Sequence, residues 1–157
     1  MTFAMLILAL LAAMPDACSL LTAAEIEAVQ RERPQISKPS AQPGPELVVR
    51  QCFYQLPTFA KSISLEVTSG PAAKAYWQKA FHEKRPREEA EEGEAKEEPE
   101  RVRRLGEEAY WTGGVRLGGL YVLQKGSILR LSIGGADTKG AKLKKLRALA
   151  RSVLKRL

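Results

Sequence analysis

Cys18, Cys52 and His82 are the only cysteines and the only histidine in this chain of 157 residues. A protein-built zinc site takes four N or S ligands, or three and a water, so these residues do not supply one. A Cys–His nucleophile pair is equally poorly provided, because His82 lies in the charged run FHEKRPREE. Glu107 and Glu108 are adjacent, and on a strand they point to opposite faces, which is no geometry for a carboxylate pair. The glycine-rich GGVRLGG lacks the Lys-Ser/Thr of a phosphate loop and sits within strand patterning. The expectation is a non-catalytic protein with no metal and no cofactor.

Cys18 has four readings: a lipid attachment point, a disulfide partner, a metal ligand or a buried thiol. A lipid box needs small and aliphatic residues before the cysteine, and Pro15-Asp16-Ala17 fits only at its last position. A free thiol suits a cytosolic chain. The compartment therefore matters, and the opening TFAMLILALLAAM has about the length of a signal-peptide h-region, short of the ~20 residues of a membrane span. No basic residue precedes Arg31, so a positive n-region is missing. A buried N-terminal helix is the competing reading, but residues 1–17 are read as a signal-like segment, with a single domain over 18–157. In an oxidising compartment two cysteines pair as a rule, which favours Cys18–Cys52. Such a bridge closes a loop of roughly 34 residues and contributes about 3–4 kcal/mol.

The elements that position these residues follow from periodicity. Thr22 and Glu25 form a capping-box pattern before a helix over about 23–31. Residues 34–45 contain four prolines and read as an extended linker. ELVVRQCFY reads as a strand with Arg50, Cys52 and Tyr54 on one face. SISLEVT alternates, placing Ile63, Leu65 and Val67 opposite the serines, Glu66 and Thr68. A helix follows Pro71, with Tyr76, Trp77, Ala80 and Phe81 as its core stripe. Residues 83–104 hold nine acids among basic residues and are read as a charged insert that cannot bury a core. AYW is a short strand, and LGGLYVLQKGSILRLSI is a hairpin turning at Lys125-Gly126, with a bulge or close approach at Gly118-Gly119. Asp137 or Thr138 caps a final helix whose apolar positions are Leu143, Leu146, Ala150, Val153 and Leu157. The order α-β-β-α-(charged insert)-β-β-β-α is an α+β class, a mostly antiparallel sheet with helices packed on it.

Net charge is +7, but eight Lys or Arg and no acid lie between Lys139 and the C-terminus. The high pI therefore belongs mainly to the last helix, and Lys142, Lys145 and Arg156 are candidate contacts to an anionic surface. In an exported protein nucleic acid is an unlikely partner.

The words DACSLLTAAEIEAV, QCFYQLP, GEEAYW, GGLYVLQKGSILRLSIGG and ALARSVLKRL together resemble small exported bacterial proteins of unknown function, of an acidobacterial type. These are related to actinobacterial cell-envelope lipoproteins with a PsbP-like fold. The resemblance implies that fold, an envelope location and a pairing of Cys18 with Cys52; it implies no activity. The chain departs from the lipoproteins at the lipid box. Two functional expectations follow. One is a non-catalytic envelope protein, periplasmic or extracellular, binding a partner protein or a small apolar ligand. The alternative is a protein that binds anionic membrane surfaces or polyanions through the basic C-terminal helix.

Overall fold

A computed structural model describes residues 16–83, 98–114 and 117–157. The apolar opening, most of the charged insert and Val115-Arg116 of GGVRLGG lie outside the described residues. The chain is α+β. A 3-10 turn at Ala17–Leu20 leads into α1 (Ala23–Gln30), β1 (Ile36–Gln42), β2 (Val48–Gln55), β3 (Ile63–Ser69) and α2 (Ala73–Phe81). After the insert come β4 (Glu100–Arg101), β5 (Glu108–Thr112), β6 (Gly119–Gln124), β7 (Ser127–Ile133) and α3 (Lys139–Leu154). The strands form one sheet in the order β1-β2-β3-β7-β6-β5-β4, and each neighbouring pair is antiparallel.

Alternation divides the sheet into two unlike faces. Ile63, Leu65 and Val67 of β3, with Leu129, Leu131 and Ile133 of β7, point toward Ile26 of α1 and Leu146, Leu149, Ala150 and Val153 of α3. This is the main core. On the second face α2 lays Ala73 and Trp77 over Leu123 of β6 and Ile128 of β7, with Phe81, Tyr110 and Tyr121 around them. Trp77 is fully buried, and truncating such a side chain to alanine costs about 3–5 kcal/mol. The expected stripe on α2 differs at Tyr76, which points to solvent; the buried positions are Ala73 and Trp77, one turn apart.

The local signals account for the boundaries. Thr22 and Glu25 form the complete capping box of α1, and Thr138 caps α3. Lys125 and Gly126 both have positive φ, the requirement of a two-residue type I′ hairpin. A Cβ on Gly118 would lie 2.1 Å from the Trp111 ring, so the close approach at that glycine is real.

Two expectations are corrected. The supposed linker 34–45 contains β1, which pairs with β2 over its whole length. Pro39 lies within it, and an edge strand tolerates proline because one side of its backbone has no ladder to complete. Every residue of β1 is exposed, so no apolar alternation marks it. The charged stretch also ends earlier than Arg104: β4 pairs with β5, and Val102 and Leu105 enter the core. The folded domain reaches back to Asp16, which caps the first turn, and to buried Ala17.

Candidate functional site

The second face of the sheet has a covered half and an open half, and the chemistry-bearing side chains sort between them. Under α2 the organising group is Glu108 on β5. Its carboxylate accepts from Trp77 Nε1 at 2.7 Å and Tyr110 Oη at 2.8 Å. A Glu108 oxygen lies 2.9 Å from His82 Nε2 at the C-terminal end of α2. Burial pushes the Glu108 carboxyl up, but the bonds from His82, Trp77 and Tyr110 together outweigh it and hold it below its ordinary value. Phe81 stacks on Tyr110 at 4.7 Å between centroids. A carboxylate orienting an imidazole is part of a nucleophile-activating arrangement, yet its partners here are an indole, a phenol and the imidazole. The bonds from Trp77 and His82 tie α2 to β5, and the one from Tyr110, on β5 itself, holds the carboxylate in place, which is a structural role.

Beyond α2 the same face is open across β1, β2, β3 and β7. Register puts Lys38, Phe53, Ser64 and Ser132 in one row. The next row is Ser40, Gln51, Glu66, Arg130 and Tyr121. The small serines leave a trough of about 160 Å³ lined by Lys38, Ser40, Gln51, Phe53, Glu66 and Arg130, among others. Its walls are held by side-chain bonds. Ser40 Oγ donates to Gln51 Oε1 at 3.2 Å, and Gln51 Nε2 donates to Glu66 at 2.6 Å. Arg130 Nε donates to Tyr121 Oη at 2.9 Å, with the guanidinium 5.6 Å from the Tyr121 ring centre. At the end of the trough Phe53 meets the exposed Phe59, with ring centroids 6.0 Å apart.

The residues singled out from sequence fall elsewhere. Cys18 and Cys52 are joined in a disulfide that ties the first turn to β2, which fits an oxidising, non-cytoplasmic compartment. Among the described residues no helix is long and apolar enough to cross a membrane. Lys142 is not at the surface at all. It is 1% exposed, because Lys142, Leu146, Leu149 and Val153 share the inner face of α3 and its four-carbon stem lies along that face. Lys145 donates to Asp137 at 2.7 Å. Arg156 grips both oxygens of Glu25 at 2.9 and 2.8 Å and also reaches the Leu20 carbonyl. The exposed cations of α3 and its C-terminal cap that pair with no acid among the described residues are instead Lys144, Arg151 and Lys155, at spacings that align them on one stripe. Arg147 beside them donates to the Arg103 carbonyl at 3.0 Å.

Sequence reasoning missed the trough. Alternation in SISLEVT does place Ser64 and Glu66 together, and alternation in SILRLSI places Arg130 and Ser132 together. That β3 lies against β7, and that Lys38 belongs to a strand, are lateral facts with no local signal. Compared with known proteins, the chain matches no family, and neither a curated protein nor a solved structure is similar to it.

Proposed function

We propose that this chain is a non-catalytic, exported protein of the cell envelope that engages a partner through the open half of its sheet. The observation that carries this reading is the asymmetry of the second face. Helix α2 covers β5, β6 and one end of β7, while β1–β3 present a walled trough and an aromatic pair to solvent. The disulfide supports the exported location. The polar lining favours a polar partner or ligand over a small apolar one. In its host, a photo-crosslinking residue at Gln51 is expected to give adducts that the same residue at Ala24, exposed on α1, does not. Adducts from neither position, or equally from both, would count against the open face as the binding surface.

A second reading rests on Lys144, Arg151 and Lys155, which are exposed and have no acidic partner among the described residues. This stripe supports contact with an anionic membrane surface. It predicts salt-sensitive binding to anionic vesicles and none to neutral ones.

A further inference from the structure

Glu66 and Arg130 stand directly opposite each other on neighbouring strands and on the same face. Opposite charges so placed close into an ion pair by default. Among the described residues these two do not. Gln51 draws the Glu66 carboxylate toward β2, and the Tyr121 hydroxyl draws Arg130 toward β6. Two neighbours thus hold a charge pair open across the trough.

The residues that carry the groups left over all line the same space. Lys38 Nζ, Ser64 Oγ, Glu66 Oε1 and both terminal nitrogens of Arg130 have no protein partner among the described residues. From the sheet edge inward, β1 offers a cation, β3 an anion and β7 a cation. The complement is a ligand with an anion at each end and a positive donor between them.

We infer that the trough binds an acidic α-amino acid, free or as the terminal residue of a peptide. This rests on the open half of the sheet being the binding face, and it names what is bound there. The Arg130 fork takes the α-carboxylate in a bidentate grip. Glu66 Oε1 accepts from the ammonium group, or from the amide N–H of a C-terminal residue. Lys38 meets the side-chain carboxylate, and the Phe53 ring lies along the methylenes. A volume of about 160 Å³ admits one such unit, well under the ~300–1,000 Å³ of a drug-sized site.

The test is a titration of the intact, oxidised chain with L-glutamate, read by two-dimensional amide NMR. Shifts are expected at residues of β1, β2, β3 and β7. Glu66→Gln and Arg130→Gln should each weaken binding about tenfold or more, with melting temperatures kept as the control for folding. Lys38→Gln should remove the preference for glutamate over glutamine. A tripeptide ending in glutamate, run beside the free amino acid, separates the two sources. No shift up to ~10 mM glutamate and peptide, or equal binding by glutaric acid, which lacks the central donor, overturns the inference. Crosslinking from Gln51 without glutamate binding would sink this ligand and leave the binding face standing.

Discussion

Glu25 shows how much one carboxylate can carry. It completes the capping box of α1 by accepting from the Thr22 amide at 2.9 Å, and it receives the Arg156 guanidinium on both oxygens. The Arg156 bonds are the main reason its pKa falls to about 2. The folded value lies below the unfolded one of ~4.3, so the charged carboxylate stabilises the fold above that pH. The contribution is lost as pH falls from there through about 2. Glu25→Gln should therefore cost about 1 kcal/mol at pH 7, a modest figure because the pair is partly solvated. The deficit should shrink steadily below pH ~4.3, measured by urea unfolding across the acid range. A deficit constant with pH would mean that the charge is not what Arg156 and the Thr22 amide recognise. Burial acts in the other direction on Tyr54, whose hydroxyl is pushed up to about 12 while it donates to the Cys18 carbonyl at 3.1 Å.

At the scale of elements, the disulfide joins the first 3-10 turn to the middle of β2 across a separation of 34 residues. The chain it encloses contains α1 and β1, and β1 is wholly exposed with no apolar face of its own. Chain-entropy arguments give the bridge about 3–4 kcal/mol. The double variant Cys18→Ala/Cys52→Ala should lose about that much in urea unfolding, and reduction of the native protein should reproduce it. A loss below ~1 kcal/mol would mean that core packing alone holds this region. Several elements were legible because their signals are local. The Thr22–Glu25 spacing, the Lys125-Gly126 turn and the alternation of Ile63, Leu65 and Val67 each involve residues close in sequence. Strand β1 was illegible because an edge strand lying outside the core needs neither alternation nor freedom from proline.

For the whole molecule, charge has to be read after folding. Of the eight cations beyond residue 138, one is buried and several are paired. Only a stripe of Lys144, Arg151 and Lys155 combines exposure with freedom from acids among the described residues. If that stripe meets an anionic bilayer, reversing all three to Glu should abolish vesicle binding. The same change at Lys145 and Arg156 should chiefly reduce stability, since it breaks their pairs with Asp137 and Glu25. Flotation with anionic vesicles at low and high salt distinguishes these, because exposed charges are screened within about 8–10 Å at moderate ionic strength. Equal loss from both sets would assign the effect to unfolding.

What the sequence by itself determined were the α+β class, the helix caps, the hairpin and the inward faces of the central strands. Each follows from residue type and short-range spacing, whereas the pairing of the two cysteines was one of four readings, favoured only in an oxidising compartment, until the structure joined them. The tertiary structure alone decided which strands lie side by side, and so that Glu66 faces Arg130 in the same sheet whose edge strand carries Lys38. It alone decided that Lys142 turns inward, because Leu146, Leu149 and Val153 set the buried face of α3. Lateral neighbours in a sheet and the rotation of a helix are settled by the packing of distant segments, and no local periodicity encodes them.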